Sequence, residues 1–437
     1  MDDSRSSAGP WVRRFAVFTG SQALSLLGSG ITVFACTVWL SQARFPGPEQ
    51  KAALAGALTA LAAALVVPRV LFAAVGGTLA DRGDRRRILV SVNLASGLLS
   101  LTLLWVMLRG SLDLPLLVGM AALSAALDTF HRTASESSLA LLVPAPHLAR
   151  ANGVEDTMAA IANVLAPAAA GLLIALPRDA ARQVLAGLPL AIAADALTFF
   201  VAAAGLATVP IPRAPTAAAS AADPPAAGLV AEAREALRYL RGRPSFLWLL
   251  AVVSVSFLCS PPLHLMLPLI VKFNLGAGAE AGTTFESALA WVQALAGAGS
   301  VVGGLLVSLG GGARRRMVPV LLGALLLDGA SVCLLGLSGH LAAAAAFAFL
   351  WGLAAPLAVT HDYALWQTHT PPAMQGRLLS ARRTLTQICW AVGAGVAGAA
   401  CARWDPGRVA AIYGGVLAAT ALSQLFNRRL MALEAER

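Results

Sequence analysis

Twelve apolar runs, each long enough to cross a lipid bilayer, account for most of this chain. They occupy 15–40, 53–80, 88–108, 114–136, 154–176, 187–209, 246–272, 286–309, 317–338, 341–366, 384–402 and 408–427. A helix needs about 20 residues to span the ~30 Å hydrocarbon core. Backbone amides find no water at that depth, so such a run must satisfy them within itself, as a helix. The expected fold is an all-α membrane protein of twelve transmembrane helices. Composition agrees, since only 12% of the 437 residues are charged, where a soluble domain carries roughly 25%. Mean hydropathy is +0.73.

The formal net charge of +10 would by itself admit a nucleic-acid partner. Its placement argues for a topology signal instead. Most basic residues fall in alternate connections, as Arg13 and Arg14, Arg82 and Arg85–Arg87, Arg234 to Arg243, Arg314–Arg316, Arg382 and Arg383, and Arg428 and Arg429. By the positive-inside rule both termini are expected to be cytoplasmic, and a bacterial-type plasma membrane is the expected location. No nucleic-acid partner is expected. Met1–Arg14 is polar, and the apolar run after it is too long for a signal-peptide core, so it reads as the first span. Cys36, Cys259, Cys333, Cys389 and Cys401 lie in apolar runs without metal-ligand spacing and read as small buried hydrophobes. No metal and no cofactor are expected.

Between the sixth and seventh runs, PIPRAPTAAASAADPPAAG (210–228) reads as a flexible linker. LVAEAREALRYLRGR (229–243) follows with apolar residues at helical spacing and charges opposite, the pattern of an amphipathic helix on the membrane surface. The expected organisation is a six-helix bundle over 1–209, a cytoplasmic connection over 210–245 and a second six-helix bundle over 246–437. The halves correspond. One common offset relates Gly76–Gly77 to Gly303–Gly304, Pro144 and Arg150 to Pro371 and Arg377, and Gly171 to Gly398. The Arg85–Arg87 triplet matches Arg314–Arg316 at an offset two residues longer. Several matches at one spacing indicate a duplication. Pseudo-symmetric halves related by an axis along the membrane normal form one large transporter architecture, with substrate bound between them.

GGTLADRGDRRR (Gly76–Arg87), between the second and third runs, resembles the loop motif of the major facilitator superfamily. Span count, central connection and repeat extend the resemblance over nearly the whole chain. Within that superfamily the chain is similar to the drug and siderophore exporters that include macrolide efflux pumps and the enterobactin exporter. The residues that carry this are SQALSLLGSGITVFA (21–35), LVP (142–144) with LARANGV (148–154), EALRYLRGRP (235–244) and QGRLLS (375–380). Span five keeps Pro167 and Gly171 of the family's antiporter motif, with alanines at its other glycines, and small residues still allow close helix packing. The arginine motif that some drug antiporters carry early in span four is absent from GMAALSAALD (119–128).

The resemblance implies a conformational latch made by Gly77, Asp81, Arg82, Arg85 and Arg86, with Gly77 admitting span eleven close to span two. The arginines also fit a basic loop that simply fixes topology. Ionisable groups inside spans cost about 2.5–3.5 kcal/mol each on insertion scales and are functional candidates. Asp128, His131, Arg132 and Glu136 share one face of span four, either lining a cavity or forming a self-neutralising surface ladder. Arg69, beside Pro68 and near the membrane midplane, needs a partner, and Asp128 is the first choice. His264, His361 and Asp362 lie on spans that the resemblance puts at the cavity, with Gln22 and Gln293 as weaker polar candidates. Asp195 and Asp328 lie on spans that it makes outer scaffold and are set aside.

No catalytic signature and no phosphate-binding loop is present, so the chain reads as a transporter rather than an enzyme. The expectation is a proton-coupled exporter, or one coupled to another ion, of a drug-like, siderophore-like or secondary-metabolite compound, acting as a monomer. An importer or lipid-type carrier of the same fold is the alternative within the class. A multi-span membrane enzyme or sensor is the distant one, opposed by short outer loops poor in carboxylates.

Overall fold

The computed structural model describes residues 10–144, 147–176, 183–212, 238–275, 283–309 and 316–434. Within them the side chains of 73–82, 183–186 and some single positions, Asp156 and Arg377 included, lie outside the described residues. Most of the expected amphipathic segment 229–243 also lies outside. Among the described residues there is no strand.

Unit 1 opens with α1 (Pro10–Val38), followed by α2 (Lys51–Arg82), α3 (Arg85–Leu108), α4 (Leu114–Leu142), α5 (Leu148–Ala175) and α6 (Gln183–Thr208). After the connection come α7 (Pro244–Cys259) and α8 (Leu263–Phe273), which together make one candidate span, Pro244–Phe273. They are followed by α9 (Phe285–Leu309), α10 (Met317–Leu337), α11 (Leu341–His369), α12 (Pro372–Arg403), α13 (Pro406–Gln424) and the short α14 (Arg428–Met431). Eleven spans are long and apolar enough to cross a membrane, and the bent pair Pro406–Gln424 with Arg428–Glu434 brings the number to twelve. The chain is an all-α membrane protein, as its apolar runs require. Two helices run well past their apolar cores. Helix α4 continues to Leu142 rather than 136, and α12 starts at Pro372 rather than 384. Hydropathy ends a span at the first charges, whereas the backbone ladder continues through them.

Helix starts are written into the polar connections. The Asp84 carboxylate accepts from Arg87 N at 3.2 Å, Asp113 from Leu116 N at 2.9 Å and Asp405 from Arg408 N at 2.9 Å. Each satisfies an amide that has no partner in the first helical turn.

The chain divides into two compact units, Met1–Arg44 with Ala60–Ala219, and Phe45–Thr59 with Ser220–Arg437. The division falls inside α2, whose first turns belong to the second unit. There Lys272 Nζ donates to Phe45 O at 2.6 Å, and a Cβ on Gly398 would collide with Thr59 Oγ1. Inside unit 1, α1 packs on α5 and α6, and α3 packs on α4 and α6. Inside unit 2, the seventh span (α7 and α8) packs on α12 and α13, and α10 packs on α11 and α13. Numbered by span, these are the same four pairings in both units, and unit 2 adds a close packing of α9 on α11.

Glycine sets how closely the helices approach. Along α10 and α13, Gly336 lies against Gly407, and Gly329 lies against Gly414 and Ala418. The glycines recur two helical turns apart on both helices of this antiparallel pair, so backbone meets backbone twice. A Cβ on Gly414 would overlap Cys333 N and Gly329 O, whereas one on the adjacent Gly415 meets nothing within 4 Å. Gly414→Ala is therefore expected to lower stability by about 1–3 kcal/mol through overpacking. Gly415→Ala should be neutral or slightly stabilising. Thermal unfolding of the purified variants in detergent reads the contrast, and equal melting temperatures would refute the packing argument.

Candidate functional site

Unit 1 encloses a cavity of about 610 Å³ lined from all six of its helices. Its polar wall comes from sequence periodicity. On α1, Gln22, Ser25, Ser29 and Thr32 follow one another by three or four residues, as do Asn93, Ser96 and Ser100 on α3, and all seven line the cavity. Residues at that spacing share a helix face. Gln22, Thr32 and Ser100 bond side chains of other helices, bonds they would lose if turned toward lipid, so these faces point inward. Leu61, Leu65, Leu99, Leu103, Met120, Met158 and Phe199 supply the apolar remainder.

The four ionisable residues expected on one face of span four, Asp128, His131, Arg132 and Glu136, all line this cavity, and so does Arg69. Arg69 Nη2 lies 3.2 Å from Asp128 Oδ2, and Arg132 Nε lies 3.7 Å from the same oxygen. The structure thus brings Arg69 to the partner its depth requires. Two guanidiniums share one carboxylate oxygen, so the charge of Asp128 is compensated from both sides. Gln22 Nε2 donates to Ser135 Oγ across α1 and α4, while Gln22 Oε1 and His131 Nε2 are buried without a partner.

Asp195, set aside as scaffold in the sequence reading, also borders the cavity. It is 2% exposed. Its Oδ2 accepts from Thr32 Oγ1 at 2.7 Å and from Ser100 Oγ at 2.8 Å. Its Oδ1 has no hydrogen-bond partner. The reason is local. Helix α6 fits closely against α1 at Gly28, whose Cβ would lie 2.5 Å from Oδ1, so the acid is pressed between α1 and α3. The signal in the sequence was a lone aspartate in an otherwise apolar span together with SLLGSGIT on span one.

In unit 2 the candidates separate. Asp362 forms an ion pair with Arg382, and both side chains are almost fully buried, at 3% and 2% exposed. Arg382 also lies over the Tyr363 ring at 4.4 Å. Arg382, expected in the connection before span eleven, lies inside α12 because that helix starts early. His361 Nδ1 is 2.7 Å from Leu357 O, one turn back on its own helix. His264 stacks edge-on to Trp351 at 4.9 Å, and Trp351 Nε1 donates to Ser260 Oγ at 2.9 Å. Asp328 lies close to Ser260. Ser260 sits at the break between α7 and α8 that Pro261 and Pro262 impose, a signal present in the sequence and not used there. Gln293 lies on α9, partly buried.

Of the loop motif, Gly77, Asp81 and Arg82 lie at the end of α2, where side chains are outside the described residues. Arg85 opens α3, and Arg86 Nη2 donates to Ala207 O in the last turn of α6. That places a cation at a helix C-terminus, where the backbone dipole favours it. Pro167 and Gly171 are buried in α5. Beside them Ala166 is so close to α1 that a Cβ on Gly30 would lie 2.6 Å from its own Cβ.

Residues 18–394 match the family model described as the Major Facilitator Superfamily. Macrolide efflux protein A of Streptococcus pyogenes is 25% identical over 394 residues, covering 88% of each chain. Macrolide efflux protein A of Enterococcus faecalis is 25% identical over 338 residues, 75% of this chain and 95% of that one. Among solved structures, a bacterial homologue of the iron transporter ferroportin superposes with a TM-score of 0.66 at 15% identity, covering 97% of this chain and 99% of that one. A bacterial homologue of the human lysosomal transporter Spinster gives a TM-score of 0.65 at 15% identity, covering 98% and 96%. These likenesses establish the fold.

The buried pair in unit 2 has a measurable consequence. Removing one partner of a buried ion pair strands the other charge and costs about 3–5 kcal/mol, more than neutralising both. Arg382→Met should therefore destabilise the protein by that amount, and Arg382→Met with Asp362→Asn should recover part of it. Denaturation of the single and double variants in mixed detergent checks this, and a double variant no more stable than the single would contradict it.

Proposed function

The chain belongs to the Major Facilitator Superfamily, and from that premise we propose that it exports a macrolide-like amphipathic compound by alternating access, driven by inward movement of protons. The observation that carries this reading is the unit 1 cavity. Its volume of about 610 Å³ falls in the ~300–1,000 Å³ range of small-molecule sites. Its lining sets leucine, methionine and phenylalanine beside hydroxyls, amides and a charge cluster, which suits a ligand with both an apolar body and polar substituents. The similarity to two macrolide efflux proteins supports that substrate class.

In this reading 1–209 and 246–437 are the two bundles that alternate, joined by 210–245. Both termini face the cytoplasm of a bacterial cell, as the arginine distribution favours. The Gly77 to Arg86 motif acts as a latch for one state, with Arg86 fixing the start of α3 to the end of α6. Arg69, Asp128, His131 and Arg132 orient polar substituents of the substrate along the wall of α4.

Expression in a pump-deficient bacterial strain tests this. The protein should raise macrolide resistance at least fourfold and lower accumulation of a radiolabelled macrolide, and a protonophore should abolish both effects. Asp81→Asn should weaken export while leaving the protein in the membrane. Unchanged accumulation with correctly inserted protein would overturn the export assignment.

A further inference from the structure

Asp195 is a deeply buried acid at the cavity wall, and its hydrogen bonds all fall on one oxygen. Asp128 has Arg69 at 3.2 Å and Arg132 at 3.7 Å, so its charge is already compensated. Asp195 has only the two hydroxyls, both directed at Oδ2, and among the described residues no basic side chain pairs with it. Oδ1 is buried, unpartnered and at the cavity wall. The other groups facing it are few. Helix α1 presents the Cys36 thiol, and α3 presents Ser96, Ser100 and Asn93, with no charged group. Arg69, Asp128, His131, Arg132, Glu136 and Glu155 line the cavity from α2, α4 and α5.

We propose that Asp195 is the proton-carrying group of this transporter, its Oδ1 taking up and releasing the coupling proton while Thr32 and Ser100 hold Oδ2 in place. The proposal rests on the proton-driven export reading above and assigns it a residue. The chemistry is proton transfer alone. The carboxylate gains one proton from water on the outer side, forming an O–H bond at Oδ1, and returns that proton to water on the inner side. The proton gradient supplies the driving force, and the carboxylate is regenerated.

Burial provides the coupling. An ionised carboxylate without a cation is costly in a site closed to water, and its protonated form is not. Closing the cavity therefore favours the proton-bound acid, and opening it to water stabilises the free carboxylate. Protonation state and conformation are linked through one group, without breaking an ion pair. Gly28 is part of the device, because a side chain there would displace the acid from its place between α1 and α3.

The test uses the full-length protein in proteoliposomes with radiolabelled erythromycin. Two activities are compared, namely accumulation driven by a pH gradient, and exchange of erythromycin across the membrane without a gradient. Asp195→Asn is expected to keep exchange within twofold of wild type and to lose gradient-driven accumulation at least tenfold. Retained proton-driven accumulation, or an equal loss of both activities in a folded variant, overturns the proposal. Accumulation that follows a sodium gradient and is lost in the same variant would assign the site to sodium and overturn the proton assignment.

A wild type that does not move erythromycin would defeat the substrate reading alone, and infrared difference spectroscopy then decides the inference. Wild type should show a protonated-carboxyl C=O stretch that comes and goes with pH and is missing from Asp195→Asn. An unchanged spectrum overturns the assignment. If the asparagine variant does not fold, Asp195→Glu replaces it. A coupling carboxyl then keeps reduced proton-driven accumulation and a shifted C=O band, and an unshifted band overturns the proposal.

Discussion

Hydrocarbon offers a polar group no hydrogen-bonding partner, and most features of this chain are ways of meeting that constraint. The backbone meets it by forming helices. Hydroxyls meet it by bonding one turn back on their own helix, as Thr59 does to Ala55 O, Thr102 to Leu98 O, Ser331 to Leu327 O and Thr420 to Val416 O. Against that habit Thr32 and Ser100 stand out. Each gives its proton to Asp195 on another helix instead. The cross-helix bonds tie α1, α3 and α6 together at the cavity wall. They also identify the acid as a group for which the local structure makes special provision.

The same constraint explains what could be read in the sequence. The length of an apolar run reports a helix directly, so the span count survives in the structure. The partnership of Arg69 with Asp128 was legible because a guanidinium at that depth must find an acid and few were on offer. Asp195 was not legible for a different reason. Hydropathy counts a lone aspartate as an interruption but does not say which way its helix is turned. That depends on Gly28, which lets α6 close on α1, and on Ser100 from a third helix. Arg382 was hidden by the start of α12, since a run of charges before an apolar core reads as a connection until tertiary contacts bury one of them. The glycine contacts of α10 with α13 are periodic in the sequence, yet glycines in apolar spans are common, and only the facing pair shows which ones meet.

The cavity divides its labour by charge. On the α4 wall, Asp128 held by two guanidiniums is a fixed, compensated group, suited to orienting polar parts of a ligand. On the α6 side, Asp195 is uncompensated and its charge is free to change. A substrate-orienting cluster must keep its charge through the cycle, whereas a coupling group must alternate. One cavity can hold both only if their environments differ in this way.

The repeat gives this arrangement a history that sequence offsets do not show. In unit 1 the corner between spans one, three and six holds a carboxylate from span six with hydroxyls from spans one and three. In unit 2 the corresponding corner holds the carboxylate of Asp328 from span nine, the counterpart of span three, beside Ser260 from span seven, the counterpart of span one. The same corner thus carries a buried acid in both halves, but the acid has moved to a different helix. No alignment of the halves would pair Asp195 with Asp328. A duplicated bundle preserves which helices meet, because that is fixed by backbone packing, and leaves open which of them supplies a polar group at the meeting point. The two buried acids therefore match as places in the fold rather than as positions in the chain, with Asp195 set at the cavity wall of unit 1 and Asp328 beside the broken seventh span of unit 2.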